Sequence, residues 1–418
     1  MNPLGGNGSL PAAPAAGGWQ PAVPAANWPE EDRRWMRRAL ALAGRARGRT
    51  TPNPLVGAVL VRDDRVVGEG FHRRAGAPHA EAEALRQAGD RARGATLYVT
   101  LEPCCHYGRT PPCSDALIRA GIRRVVAAMV DPDPRVRGRG LAALRAAGVR
   151  VEVGLLEEEA RRLNAAYLAW NLLGRPLITM KYAMTLDGRI ATRRGDARWI
   201  TGDAARRFVH RLRDRVDLIA VGIGTVLADD PCLTTRLPRG GRDPIRLVID
   251  SQARTPPGAR VVRAAAASPA PTWIAVTERA PAHRVRALEA AGAQVLRVPA
   301  TAEGRVDLAE LLVELGRRGI RHVLVEGGAA IHGALLAAGL ADHVLAFIAP
   351  KLVGGAGAPG PVGGPGVDRM AGALRLHRVR LRRLGDDWLV EGYLRDPATL
   401  PLDVFSATAP GVSRAGGP

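Results

Sequence analysis

The chain has 418 residues, a formal charge of +20 at pH 7, and 46% hydrophobic but only 4% aromatic residues. A length of this order exceeds what one hydrophobic core organises and predicts two domains. The N-terminus lacks a basic segment followed by a continuous apolar one, and no apolar stretch approaches the roughly 18 residues of a membrane helix. Neither secretion nor membrane insertion is therefore expected, and the cytoplasm is the default compartment. The charge invites a nucleic-acid partner, yet among 60 basic residues only Lys181 and Lys351 are lysines, and no basic run is interleaved with aromatics. With Ala, Gly and Pro also abundant, this reads as compositional bias, and no nucleic acid is expected as a partner.

Residues 1–28 are rich in Pro, Ala and Gly with almost no charge or periodicity, and are expected to form a disordered extension. After Pro29, Glu30-Glu31-Asp32 has the composition of a helix start, with Trp35, Met36, Ala39, Leu40 and Ala43 on one face. Residues 55–61 and 66–71 flank Asp63-Asp64 and predict a hairpin. A helix is expected over 79–88, a buried strand over 96–101, a helix from Pro112, and strands over 125–130 and 149–153. One acid-rich helix over 155–173, closed by Gly174-Arg175-Pro176, sets the first domain at 29–173. The second, 174–396, repeats the alternation, with strands expected over 177–183, 218–221, 245–250, 272–276, 294–297, 322–325 and 343–348. Residues 397–418 are expected to be a flexible tail. The halves share no motif, so the chain is not an internal duplication.

Three of the four cysteines fall between positions 104 and 113, too few and too clustered for a disulfide framework, so metal binding is the first expectation. His79-Ala80-Glu81 is followed by Glu102-Pro103-Cys104 and Pro112-Cys113. One imidazole and two thiolates make a three-ligand zinc site with an open fourth position, the catalytic arrangement, in which the metal activates a water. Glu81 is not needed as a ligand and is free to move a proton, the division of labour of hydrolytic deamination. A structural zinc is the competing reading, disfavoured by the order of the motif. The cysteines are separated by eight residues, whereas the general zinc-deaminase pattern has two. Cys105 is expected to be a bystander and Cys232 a packing residue.

In the second half, Val325-Glu326-Gly327-Gly328-Ala329 reads as a buried strand ending in paired glycines before a helix, where bare amides and the helix N-terminus suit a phosphate. Alone, such a segment is more often just a tight turn. No Gly-x-Gly-x-x-Gly joins a predicted strand to a predicted helix, which argues against an ordinary Rossmann dinucleotide site.

Together, Thr50-Thr51-Pro52-Asn53-Pro54-Leu55-Val56-Gly57, the His79, Cys104 and Cys113 motifs with His106-Tyr107-Gly108-Arg109 between them, and Asp131-Pro132 resemble the bifunctional riboflavin-biosynthesis deaminase/reductase family. In the second half the resemblance rests on Met180-Lys181-Tyr182-Ala183-Met184-Thr185-Leu186-Asp187-Gly188-Arg189, Trp199-Ile200-Thr201-Gly202, the segment from Val221 to Pro231, and the Glu326 segment. It implies an N-terminal cytidine-deaminase-like α/β/α domain and a C-terminal dihydrofolate-reductase-like α/β domain, one zinc ion per chain, and NADPH. The implied substrate is 2,5-diamino-6-ribosylamino-4(3H)-pyrimidinone 5′-phosphate, deaminated first and then reduced at its ribosyl group to ribityl. By the same likeness Asn53 touches the pyrimidine, while His72 and Arg109 seat the substrate and its phosphate. Ala183, Trp199, Thr225, Asp229, Ser251 and the run from Gly328 lie near NADPH, and Arg213, Leu233, Arg236 and Glu326 near the substrate. Guanidinium forks suit Arg213 and Arg236 to a phosphate.

Asp133 stands where the family usually has Asn, Cys105 where Ser is common, and Ala197 where a hydroxyl residue is frequent. Lys181, Asp187 and Glu326 are candidates for the proton donor of the reduction. Three other readings stay open on the sequence: a nucleic-acid or nucleoside deaminase with a binding domain, a protein active only as a deaminase, and a non-catalytic protein that kept both folds. A homo-oligomer is compatible with all of them.

Overall fold

The computed structural model describes residues 28–107 and 111–401. Arg109, nearly all of the expected N-terminal extension, and the chain from 402 onward lie outside the described residues. No described helix is long and apolar enough to cross a membrane.

The first half contains α1 (Glu30–Gly44), β1 (Gly57–Arg62), β2 (Arg65–Phe71), α2 (Ala80–Ala88), β3 (Thr96–Val99), α3 (Cys113–Arg119), β4 (Arg124–Ala127), α4 (Arg139–Ala146), β5 (Arg150–Val153), α5 (Glu157–Leu163) and α6 (Ala165–Leu173). Its five strands lie in the order β2-β1-β3-β4-β5. Strand β1 is antiparallel to both neighbours, and β3, β4 and β5 run parallel. Because side chains alternate along a strand, Ala58, Leu60, Leu97, Val99 and Val125 pack on one face with Ala84, Leu117 and Leu141 from α2, α3 and α4. Val59, Val61, Tyr98 and Val126 pack on the other with Trp35, Met36 and Ala39 of α1 and Leu168 of α6. The hairpin turn falls at Asp63-Asp64, both in the left-handed region with φ of 49° and 55°, as the primed turn of a tight hairpin requires.

The second half contains β6 (Leu177–Thr185), α7 (Asp203–Arg213), β7 (Leu218–Gly222), α8 (Ile223–Asp229), β8 (Ile245–Ile249), α9 (Arg260–Arg263), β9 (Thr272–Val276), α10 (Ala282–Ala290), β10 (Gln294–Arg297), α11 (Leu308–Arg317), β11 (His322–Val325), α12 (Ala329–Ala337), β12 (His343–Ala349), β13 (His377–Leu384) and β14 (Asp387–Tyr393). The nine strands lie in the order β10-β9-β8-β7-β11-β6-β12-β14-β13. All are parallel through β12, and β14 and β13 close the sheet as an antiparallel edge.

Three sequence expectations change. The single helix over 155–173 is two, α5 and α6, broken at Asn164. There the side-chain amide accepts from Leu55 N at 2.7 Å and donates to Leu55 O at 3.0 Å, which ties down the approach to β1 and delays that strand to Gly57. The hairpin β13–β14 was not anticipated. The stretch after Asp396 starts with a 3₁₀ turn, Pro397–Thr399, in contact with α5 and α6, and Arg161 donates to the Leu400 carbonyl.

After α6 the chain enters the second sheet through a buried ion pair. Arg175 donates to both carboxylate oxygens of Asp342 at 2.7 and 2.8 Å, and Asp342 also accepts from Ile178 N at 2.9 Å. The Asp342 side chain is fully inaccessible, so removing it strands a buried guanidinium. Asp342→Ala is expected to destabilise this sheet by about 3–5 kcal/mol, read as a lowered urea midpoint. The double replacement Arg175→Met/Asp342→Leu should recover much of the loss.

Candidate active sites

His79 caps the N-terminus of α2, Cys104 lies in the loop after β3, and Cys113 opens α3 behind Pro112. His79 Nδ1 stands 3.3 Å from Cys113 Sγ and 3.5 Å from Cys104 Sγ, and all three ligand atoms lie within 4.8 Å of one another. Zinc bonds of about 2.3 Å to sulfur and about 2.0 Å to nitrogen space tetrahedral donors by about 3.5 Å, so this donor set fits the ion. Hydrogen bonding from Cys113 outweighs burial and, with His79, brings the Cys104 thiol down to about 4. Facing that thiolate, and buried, Cys113 is held above its usual range. Cys105 is outside the cluster.

Glu81 sits in the first turn of α2, only 3% exposed. Burial first, then the Cys104 thiolate, push its carboxyl up to about 7, where a group passes protons efficiently at neutral pH. His72 is also buried, and burial lowers its pKa. Its Nδ1 lies 3.1 Å from the Pro78 carbonyl and its Nε2 3.1 Å from Asn53 Nδ2. Since a carbonyl only accepts, the neutral ring carries its proton on Nδ1 and leaves Nε2 to accept from Asn53. Asn53, His72, His79, Glu81 and Cys104 line one cavity of about 270 Å³. Sequence reasoning missed that Tyr167 and Trp170 of α6, and Arg321 before β11, line it too.

Glu102 was quoted only as part of the Pro-Cys motif, yet it shapes the cavity wall. Its carboxylate accepts from the backbone N–H groups of Asp131 (3.1 Å), Gly138 (2.8 Å), Gly140 (2.9 Å) and Leu141 (3.3 Å). A side chain at Gly140 would begin 2.0 Å from the Pro103 carbonyl oxygen, so only glycine permits this approach. The loop thus anchored presents Asp131 and Asp133. Asp131 accepts from Tyr167 Oη at 2.9 Å, and burial raises its carboxyl to about 7. Asp133, the departure from the family pattern, is engaged by Arg135 at 2.7 Å. The available sequence signal was a carboxylate before Pro-Cys paired with the glycines of 138–140.

The second constellation lies at the carboxyl ends of β6, β7, β8 and β11, where open parallel sheets form their crevices. Glu326, next after β11, pairs through both oxygens with Arg213 Nε and Nη2 at 2.8 Å each, and stands 3.9 Å from Lys181 Nζ. The third guanidinium nitrogen of Arg213 donates to Thr234 O at 3.0 Å. Its fork is therefore occupied, and Arg236, exposed and bonded through Nη1 to Thr234 Oγ1 at 3.1 Å, is the cation left open to a phosphate. Leu233 is buried beside them. Thr225 Oγ1 lies 3.3 Å from where a side chain on Gly328 would begin, and Gly328 caps α12. Ala183 lies in β6 beyond its last pair with β11. Arg198 donates to Asp229 O at 2.7 Å, and Lys351 to the carbonyl of the exposed Trp199 at 2.6 Å. Ser251 follows β8 and accepts through Oγ from Val306 N at 3.0 Å. Asp187 instead pins the loop at Val353 and Gly354, accepting from their N–H groups.

Comparison with known proteins bears on both halves. The family profile described as "Cytidine and deoxycytidylate deaminase zinc-binding region" matches residues 29–129, and that described as "RibD C-terminal domain" matches 176–390. The chain is 45% identical over 369 residues to the riboflavin biosynthesis protein RibD of Escherichia coli, covering 85% of this chain and 98% of that one. It is 42% identical over 361 residues to the Aquifex aeolicus RibD, covering 86% and 98%. The solved structure of Acinetobacter baumannii RibD superposes with a TM-score of 0.78 at 38% identity, covering 87% and 99%. The Thermotoga maritima diaminohydroxyphosphoribosylaminopyrimidine deaminase/5-amino-6-(5-phosphoribosylamino)uracil reductase does so at 0.76 and 36%, covering 87% and 99%. The class is thus a zinc-dependent deaminase of cytidine-deaminase-like fold joined to a dihydrofolate-reductase-like reductase. Within that class, the chain belongs to the RibD family of bifunctional riboflavin-biosynthesis enzymes.

Glu326 provides a pH test of the second constellation. Burial alone would raise its carboxyl, but Arg213 and Lys181 outweigh burial and hold it down to about 2, against 4.5 for a free glutamate. A group depressed on folding stabilises fully above its unfolded pKa and loses that contribution as pH falls through the folded one. Urea midpoints of the wild type should therefore fall between pH 4.5 and 2, and Glu326→Gln should show a shallower fall across the same window.

Proposed function

We propose that residues 29–173 deaminate the 2-amino position of the phosphorylated 2,5-diaminopyrimidine, and that residues 174–396 then reduce the ribosyl group of the product to ribityl with NADPH. The observation that carries this reading is the buried Glu81 carboxyl sharing one cavity with His79 and Cys104.

Zinc, when held by His79, Cys104 and Cys113, supplies Lewis-acid activation of the attacking water. Glu81 passes the first proton of that water to the ring nitrogen as the oxygen adds to the ring carbon, and the second, from the added hydroxyl, to the amine as the carbon–nitrogen bond breaks and ammonia leaves. Asn53 presents its amide to the pyrimidine, its orientation set by His72, and Arg109 seats the phosphate. In the second half NADPH, when bound, supplies the hydride. The N-terminus of α12 at Gly328, with Thr225, suits the cofactor's phosphates, and Trp199, Asp229, Ala183 and Ser251 border the same crevice. Arg236 takes the substrate phosphate, while Arg213 holds Glu326 in place. Of the three proton-donor candidates, Glu326 and Asp187 are held ionised, both near 2, which leaves Lys181, an amine whose pKa burial lowers from its usual range, as the donor we favour.

We also assign a homo-oligomer. Strand β13 is an open edge of the larger sheet, and Val379, Leu381 and Trp388 beside it are 55%, 60% and 42% exposed. An unpaired edge flanked by apolar side chains favours pairing with a second copy. Light scattering should give a mass above that of one chain, reduced by Leu381→Arg.

The decisive experiment follows ammonia release and NADPH oxidation separately in zinc-loaded protein given the diamino substrate. Ammonia should appear first and be matched by NADPH consumed. Glu81→Gln should slow ammonia release by about a hundredfold or more while leaving NADPH oxidation on the deaminated substrate intact. Undiminished ammonia release in this variant, or none from the wild type, would overturn the assignment.

A further inference from the structure

Trp170 lines the zinc cavity from α6, the last helix before the second sheet. Its six-membered ring lies on Gly316 in α11: a side chain there would begin 2.2 Å from Cζ3 and 2.8 Å from Cε3. The Arg321 guanidinium stacks over the indole at 4.1 Å from its centroid and donates to the Gly316 carbonyl at 2.7 Å. The face and the edge of Trp170 are therefore held by two residues that also bond each other. Arg321 is itself fixed by its backbone N–H, which donates to Asp217 at 3.0 Å. One turn earlier on α6, Tyr167 is tied to Asp131 of the zinc half. This helix face is thus clamped between the loop anchored by Glu102 and the second sheet.

We propose that the reductase half builds one wall of the deaminase pocket, with Gly316 and Arg321 as positioning residues that hold Trp170 against the planar pyrimidine substrate. The inference rests on the deaminase reading above and extends it. Every zinc ligand and the proton-moving carboxyl come from the first half, but the fit of the substrate depends on the second. A stacked, partly desolvated guanidinium contributes through both its charge and its plane, and neither alanine nor lysine supplies the plane. Gly316 contributes by absence, since a methyl group there drives the indole out of its seat.

The test uses the full-length, zinc-loaded enzyme and compares Arg321→Ala, Arg321→Lys, Gly316→Ala and Trp170→Phe with the wild type. KM and kcat are measured for ammonia release from the diamino substrate, and NADPH oxidation is measured separately on the deaminated substrate. Arg321→Ala and Gly316→Ala should raise the deaminase KM about tenfold, the order of a lost desolvated cation–π contact, with kcat and zinc content nearly unchanged. Arg321→Lys should resemble Arg321→Ala, and Trp170→Phe, which keeps an aromatic plane, should fall between them and the wild type. Reductase kinetics should be unaltered in all four. A deaminase KM equal to wild type in both Arg321→Ala and Gly316→Ala would overturn the inference. So would equal losses in the two half-reactions with a lowered melting temperature, since that pattern marks general destabilisation. Ammonia release from the wild type with unaltered KM in the variants leaves the deaminase reading standing. No release from the wild type overturns that reading, and the inference with it.

Discussion

Strands buried on both faces have only their ends free for chemistry, and both candidate sites of this chain follow from that constraint. In the first half, apolar side chains alternate between two helical layers along β1, β3 and β4, so the metal ligands come from a helix cap, a loop and a helix start. In the second, the parallel run from β10 to β12 leaves polar side chains to gather where the strands stop. Glu326 stands one residue past β11 and Ser251 two past β8. Position at the carboxyl edge of a covered sheet is what brings residues far apart in sequence into one crevice.

The two sites place a glutamate in comparable burial with opposite electrostatic results. Glu81 faces a thiolate and has no guanidinium partner among the described residues, so desolvation dominates and the acid form gains. Glu326 is also enclosed, its side chain 8% accessible, but it is paired by Arg213 and approached by Lys181, so the anion is favoured. Burial alone therefore does not set the role of a carboxyl; the sign of its nearest neighbour does. The first arrangement suits a group that exchanges protons, the second a group that holds cations in register.

What the sequence made legible is what it encodes locally. His79, Cys104 and Cys113 could be read from spacing because their motifs are short and the metal demands those donor types. Strands β9, β10 and β11 fell where apolar runs between turn residues placed them. The break at Asn164 was not legible, because the partner of its amide is Leu55, reached only through the fold. Strands β13 and β14 escaped because Arg380, Arg382 and Arg383 take three of the four positions between Val379 and Leu384, and such a segment resembles any exposed stretch of an Arg-rich chain. Trp170 and Arg321 escaped for the deeper reason that their meaning lies in the contact between the halves. The family resemblance implied the same role for the engaged Arg213 and the open Arg236, and only geometry separates them.

The scarcity of lysine acquires a meaning once the positions are known. Lys181 faces Glu326, and Lys351 holds the carbonyl of Trp199, so both primary amines on side chains belong to the crevice of the second half. A reagent selective for primary amines would find no lysine to modify in the first half. Covalent amine chemistry would therefore read the occupancy of the reductase crevice while leaving the zinc pocket chemically silent.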